Sequence, residues 1–276
     1  MLASSSNLLF SKNAFFIFLT NQPLETKSKF PIIPLIFKAF GANIKNLEFV
    51  KGSDFQVNEK YFLDVLKFST NVSVEDCRKA ASEVVKLGEH PKLSGLIYPI
   101  MQSIDEEYLN TDVQYGGIDQ RKILVFAREN LPKLGYKPRI EIMTPIIPGL
   151  TGTKMSASDP KSKIDILDTE QEVNKKILEA YCEARKVEGN GILGFLRYVI
   201  FTIKHDNKVL FVLERDKKFG GSIKYKNYED LEKDYVDGKI HPLDLKKSLA
   251  KEINFLLKIF RDKQKVLNKV AKDAYS

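Results

Sequence analysis

The chain reads as an α/β protein in which a doubly wound parallel sheet is followed by a mostly helical part. Between Leu47 and Met143 short extended runs alternate with helical patterns, the alternation that builds a parallel sheet with helices on its faces. After Asp168 the pattern turns almost wholly helical. Between the two lies the loop Pro148-Gly-Leu-Thr-Gly-Thr-Lys-Met-Ser-Ala-Ser158. There Gly149 and Gly152 permit positive φ, Lys154 is a mobile cation, and Ser156 and Ser158 add hydroxyl donors. Such a loop at a strand's carboxyl end suits a polyphosphate, because ligands of open α/β sheets bind outside the strand ends. Taken alone, its Gly, Ser and Thr are equally consistent with a plain surface turn.

The elements follow in order. Leu47 to Lys51 is a strand candidate, and a helix begins at Asn58 with Phe62, Val65 and Leu66 on one face. Ser73 with Asp76 three residues on forms a capping-box variant opening another helix, which Gly88 is placed to close. Lys92 to Glu107 reads as helical, Asp112 to Tyr115 as extended, Ile118 to Asn130 as helical and Arg139 to Met143 as a strand leading into the glycine loop. Thr169 and Glu172 form a second capping box, ahead of a face carrying Val173, Ile177 and Ala180 or Tyr181. Ile192 to Ile203 is a strongly apolar helix, Val209 to Leu213 a brief strand, and Phe219-Gly-Gly a turn. Pro242 is the first residue of a last long helix striped with Leu245, Leu249, Ile253, Leu256, Leu257 and Phe260. No internal repeat is present.

Composition narrows the function classes. With 276 residues, 43% hydrophobic and 29% charged, the chain is globular and long enough for two ordinary domains. Its formal charge is +8, and from Thr169 onward 23 Lys and Arg face 17 Asp and Glu. A basic carboxyl-terminal part points to a polyanionic partner. Cys77 and Cys182 are the two cysteines, far apart and without a Cys-x-x-Cys or a His pair at ligand spacing, so neither a disulfide framework nor a zinc site is implied. No apolar run approaches the roughly 18 residues of a membrane span, and the chain reads as cytosolic. Residues 1–35 differ in texture: Ser-rich, then apolar from Ala14 to Leu19, then broken by Pro31 and Pro34. An organelle-targeting peptide can look like this, but Lys12 stands alone before Lys27, which favours a poorly specified leader.

Two groups of residues can carry chemistry. Tyr98, Gln102 and Asp105, four and three apart, share one helix face. A phenol, an amide and a carboxylate there can recognise a ligand's amine and hydroxyl, or can be an ordinary solvated face. Gly116, Gly117, Asp119, Gln120 and Arg121 occupy a strand-to-helix turn, where glycines let a ligand approach the backbone and Asp119 can accept from a ribose.

Taken together, Leu96-Ile-Tyr-Pro-Ile-Met-Gln-Ser-Ile-Asp-Glu-Glu-Tyr, Gly116-Gly-Ile-Asp-Gln-Arg-Lys and the Lys-Met-Ser-Ala-Ser loop closely resemble the tyrosyl-tRNA synthetases of archaeal and eukaryotic cytosolic type. The resemblance runs from about Ile36 to the carboxyl terminus. It implies a Rossmann-like class I catalytic domain over 36–168, an anticodon-binding domain over 169–276, and a divergent leader over 1–35. The activity implied is ATP-dependent formation of tyrosyl-adenylate and transfer to tRNA(Tyr) in protein synthesis, by a homodimer. Tyr98, Gln102 and Gln120 would hold the amino and carboxylate ends of tyrosine, and Asp105 its phenol. A site built to bond a hydroxyl rejects the analogue lacking it by roughly 10⁴ to 10⁵-fold, a range for which tyrosine-activating enzymes are themselves the reference example. Gly117 and Asp119 would lie against the ATP ribose and adenosine. Lys154, Ser156 and Ser158 would stabilise the departing pyrophosphate, with Mg²⁺ arriving on ATP. Phe219, His241 and Asp244 resemble the anticodon readers, while Arg121 and Lys79 are candidates for the acceptor end. For Phe219 a core aromatic, and for Asp244 a helix-dipole carboxylate, are the plainer readings.

The match also has a gap. The family's first signature, a His-x-Gly-His-like segment, should precede Ile36, yet the first histidine is His90 and residues 1–35 hold no glycine. The sheet is therefore expected to be incomplete, and the chain alone to show little tyrosine-dependent ATP–pyrophosphate exchange. A truncated synthetase fits the retained loop and pocket better than the alternative, a noncatalytic tRNA-binding or interaction protein. The related tryptophanyl enzymes share the Lys-Met-Ser-Ala-Ser form but are not expected to carry Tyr98, Gln102, Asp105 and Gln120 at these spacings.

Overall fold

Side-chain caps start several of the helices. Asn58 accepts from the Tyr61 N–H, and Ser73 with Asp76 and Thr169 with Glu172 complete reciprocal capping boxes, opening helices Glu59–Ser69, Val74–Ala81 and Glu170–Glu179. In the computed structural model of the chain, residues 6–10, 15–19, 37, 45, 47–153, 155, 159–265 and 267–269 are described. They divide into two compact units, parting between Ile146 and Ile147. That division lies ahead of Asp168, where the sequence turns helical, because the loop after Ile147 bonds within the second unit: Leu150 N–H to Ser162 O at 2.9 Å and Tyr181 N–H to Leu150 O at 2.7 Å.

The first unit holds a five-stranded sheet in the order β3-β2-β1-β4-β5. The strands are β1 Ser6–Phe10, β2 Phe15–Leu19, β3 Leu47–Lys51, β4 Val113–Gly117 and β5 Ile140–Thr144. β2 pairs parallel with β3 and β4 parallel with β5, as the helix-strand alternation predicts. β1 departs from it, running antiparallel to both β2 and β4. Two strands thus fall within residues 1–35, where composition pointed to a poorly specified leader. Their aliphatic and aromatic runs have the residue types that suit a pleated surface.

Helices pack into one core with Phe68, Ile104, Ile123 and Leu131 at its centre. Helix Glu59–Ser69 turns inward a different face from the one its apolar spacing suggests. Tyr61, Asp64 and Phe68 are buried, whereas Phe62 and Leu66 are 60% and 48% exposed. Asp64 is tolerated inside because the Tyr108 and Tyr136 hydroxyls donate to its Oδ2 at 2.8 and 2.6 Å. Burial pushes the Asp64 carboxyl up, but those phenols and the charges of Lys67 and Lys60 outweigh it, and the group stays below its usual range. Helix Val74–Ala81 ends well before Gly88, the expected stop. Helix Leu93–Tyr108 is continuous through Pro99, and Ser103 Oγ takes up the Pro99 carbonyl at 2.7 Å.

The second unit packs helix Pro242–Arg261 against Glu170–Glu179, with Leu245, Leu249, Ile253, Leu257 and Phe260 buried and Leu256 only partly so. Helix Gly191–Phe195 passes through a π turn, Leu196–Ile200, into helix Phe201–Asp206. β6 Phe211–Leu213 and β7 Ile223–Tyr225 form an antiparallel pair ahead of helix Tyr228–Val236. Among the described residues no helix is long and apolar enough to cross a membrane.

Candidate active site and nucleic-acid interface

Tyr98, Gln102 and Asp105 project from one face of helix Leu93–Tyr108, and that face is buried: 9%, 2% and 2% exposed. A solvated helix face is therefore excluded. The short 3₁₀ turn Ile118–Gln120 after β4 brings Gln120 to the same place, and Gln102 Nε2 donates to Gln120 Oε1 at 3.2 Å. Asp105 Oδ1 accepts two hydrogen bonds, from the Tyr61 hydroxyl at 2.7 Å and the Gln56 amide at 2.9 Å. Its other oxygen, Oδ2, is buried with no partner among the described residues, and so is Gln102 Oε1 one helical turn away. A buried acceptor left unfilled costs about 1–3 kcal/mol. Two on one face suit a ligand that brings donors.

The electrostatics agree. Burial raises the Asp105 carboxyl to about 7, against the downward pull of the Gln56 and Tyr61 hydrogen bonds. Glu106, facing away on the same helix, is pushed up to about 8 by burial, with Arg139 opposing and Glu141 and Asp105 adding to the rise. Tyr61 is driven above its usual range by burial and by the Asp105 charge, so it remains a neutral donor. Its ring stands edge-on to Tyr108 at 4.9 Å, which fixes the hydroxyl that touches Asp105.

At the carboxyl end of β4, a Cβ on Gly117 would meet Asp119 Oδ1 at 2.6 Å. Glycine there lets the Asp119 carboxylate lie against the backbone. Lys79 and Arg121 line one cleft of about 800 Å³ together with Arg78, Lys122 and Lys133, on the first unit.

In the second unit the start of the glycine loop is firmly held. Gly149 N–H bonds to Thr153 O at 2.7 Å, and Leu150 is 1% exposed. Gly152 has φ 82°, which glycine adopts without strain. Lys154, Ser156 and Ser158 lie outside the described residues.

Phe219, His241 and Asp244 converge on one cleft of about 770 Å³. Phe219 is 61% exposed, so it is no core aromatic. Lys218 Nζ stands 4.9 Å from its ring centroid. His241 caps helix Pro242–Arg261: its Nδ1 accepts from the Leu243 N–H at 3.1 Å. Asp244 sits in the helix's first turn, so the dipole role and a place in the cleft coexist.

Residues 26–258 match the family described as tRNA synthetases class I (W and Y). The chain belongs to this class I tRNA synthetase family. It is 46% identical over 254 residues to the cytoplasmic tyrosine–tRNA ligase of Xenopus laevis, covering 91% of this chain and 47% of that protein. It is 46% identical over 234 residues to the cytoplasmic tyrosine–tRNA ligase of Saccharomyces cerevisiae, covering 83% and 59%. Among solved structures, tyrosyl-tRNA synthetase from Archaeoglobus fulgidus complexed with L-tyrosine superposes with TM-score 0.75 at 43% identity, over 82% of this chain and 70% of that one. The chain spans about half the length of the vertebrate relative it matches.

Two pocket residues of this synthetase chain escaped the sequence reading. Gln56 and Tyr61 reach Asp105 across 49 and 44 residues of sequence. No spacing rule connects them to Asp105. Only the packing that brings Gln56, at the end of the short helix Ser53–Gln56, and Tyr61, on helix Glu59–Ser69, against helix Leu93–Tyr108 does.

Proposed function

We propose that the chain provides the tyrosine-activating and anticodon-reading parts of an ATP-dependent tyrosine–tRNA ligase. The observation that carries the reading is the asymmetry of Asp105, one oxygen saturated by Gln56 and Tyr61 and the other buried and open. Asp105 Oδ2 accepts the substrate's phenol, while Gln102 Oε1, Gln120 and Tyr98 take its amino and carboxylate ends. Phenylalanine would fill the same space and leave Oδ2 unpaired. Gly117 and Asp119 receive the ribose of ATP, which brings its own Mg²⁺. A tyrosine carboxylate oxygen attacks the α-phosphorus and pyrophosphate leaves, its charge met by Lys154, Ser156 and Ser158. The terminal ribose hydroxyl of tRNA then attacks the acyl carbon and AMP departs. The protein contributes positioning and fixed charge, with no covalent enzyme intermediate.

The same reading assigns 36–168 to catalysis, together with strands β1 and β2 from within 1–35, and 169–276 to anticodon binding. It places tRNA(Tyr) against Phe219, His241 and Asp244, with Lys79 and Arg121 towards the acceptor end. A cytoplasmic setting is supported by the names of the vertebrate and yeast relatives. Pairing with a second copy of the chain is supported by the apolar outer face of helix Glu59–Ser69, where Phe62, Leu63 and Leu66 are exposed.

Calorimetric titration of the full chain tests the assignment. L-tyrosine is expected to bind, with L-phenylalanine and L-tryptophan undetectable at the same concentrations. Comparable binding of all three would overturn it, and tRNA binding without any amino-acid binding would favour a noncatalytic RNA-binding protein.

Tyr61→Phe tests the asymmetry itself. Losing one of two donors to a buried carboxylate is expected to weaken tyrosine binding by roughly tenfold or more. Unchanged affinity would show that Gln56 alone orients Asp105.

A further inference from the structure

We infer that Arg185 is a further RNA-contacting residue, its guanidinium taking a backbone phosphate of the anticodon loop beside the bases met by Phe219, His241 and Asp244. The inference rests on the proposed reading of that cleft as the anticodon site.

Arg185 is held in an unusual backbone conformation. The turn from Glu183 to Lys186 is closed by the Lys186 N–H on Glu183 O at 3.3 Å, and it places Arg185 at φ 64°. That turn position is one glycine or asparagine fills without strain, and a long side chain does not. The other non-glycine residues with positive φ have local reasons for it. Asn110 is a residue type that tolerates the region, and Lys208 follows the last turn of helix Phe201–Asp206, where a left-handed residue commonly ends a helix. Arg185 has neither reason. Strain of this kind persists where the side chain has a use.

The side chain is also placed for one. Arg185 lines the cleft that holds Phe219, His241 and Asp244. Its guanidinium lies against Gly238, where a Cβ would come within 2.5 Å of both Nε and Nη2, so the absence of a side chain there makes room for it. Most other cations of the cleft are engaged. Lys218 is 3.9 Å from Asp216, Lys239 pairs with Asp234 at 2.8 Å and Asp237 at 3.2 Å, and Arg215 donates to the carbonyls of Gly221 and Lys239. Arg185 has no acidic partner among the described residues. A guanidinium without a counter-ion, beside an exposed aromatic that can stack a base, matches the two halves of a nucleotide: planar donors for the phosphate and a ring for the base.

The test compares the full chain with Arg185→Gly and Arg185→Lys, binding a tRNA(Tyr) transcript by fluorescence anisotropy between 50 and 200 mM KCl, with thermal melting alongside. Arg185→Gly is expected to melt at the same or a higher temperature, since the turn is relieved, yet to bind about tenfold more weakly at low salt. Its log K against log salt slope should fall by about 0.7, one single-strand phosphate contact, and Arg185→Lys should recover part of the loss. Arg185→Gly that binds like the parent with the same salt slope overturns the inference. Phe219→Ala and Asp244→Ala separate the two levels. If these lose binding while Arg185→Gly does not, Arg185 alone is refuted; if they bind like the parent, the anticodon reading of the cleft falls and Arg185 with it.

Discussion

Asp105→Asn is expected to weaken tyrosine binding by at least about a hundredfold and, at pH 8, to raise the melting temperature. Both effects come from one buried carboxylate. On the proposed reading its open Oδ2 accepts the substrate phenol, and a charge-assisted bond there is stronger than any an amide offers. The price is desolvation, which lifts the group from its ordinary 3.8 to about 7 in the fold. Between those values the folded chain holds a proton that the unfolded chain has released, so stability declines as pH rises and the full penalty stands above about 7. The variant carries no such charge. Its gain over the parent should be largest at pH 8 and shrink towards zero as pH falls below about 4, which scanning calorimetry at several pH values reads directly. A variant less stable than the parent at pH 8 would show that Asp105 is a structural anchor. In the parent, tyrosine affinity should rise through about pH 7 as Asp105 ionises.

Gly191→Ala is expected to destabilise the second unit by about 1–3 kcal/mol. Helix propensity alone predicts the opposite, a gain of up to about 1 kcal/mol, because Gly191 is the first residue of helix Gly191–Phe195. The packing decides. A Cβ on Gly191 would stand 2.6 Å from Gly149 O and 2.9 Å from Pro148 O, both backbone atoms that cannot swing aside. The start of the glycine loop would have to shift, and with it the segment leading to Lys154. Thermal melting of the full chain checks the stability term. Tyrosine titration supplies the contrast: Tyr98, Gln102, Asp105 and Gln120 belong to the other unit, so affinity should stay within about twofold. A higher melting temperature would mean that the loop relaxes at no cost.

Much of the candidate site was legible because its logic is local. Four- and three-residue spacing places Tyr98, Gln102 and Asp105 on one helix face whatever surrounds them. The capping boxes at Ser73 and Thr169 and the proline at 242 are likewise complete within a few residues. The inward face is legible in helix Pro242–Arg261, whose leucine stripe is buried, but not in helix Glu59–Ser69. Helix Glu59–Ser69 is amphipathic by its apolar residues, yet it buries a tyrosine and an aspartate and leaves Phe62 outside. The reason is that Asp105, Tyr108 and Tyr136, remote in sequence, satisfy those polar groups once the helices dock.

The sequence alone sets the capped helix starts, the shared face of Tyr98, Gln102 and Asp105, the signature loop and the family they mark. Each is set by backbone period, by capping chemistry or by a contiguous motif. Only the tertiary structure decided that this face is buried and that one oxygen of Asp105 is already taken while the other is open. It also decided that Phe219, His241, Asp244 and Arg185 share a cleft. Those facts depend on groups brought together across tens of residues, where burial and hydrogen-bond completion are properties of the packed molecule.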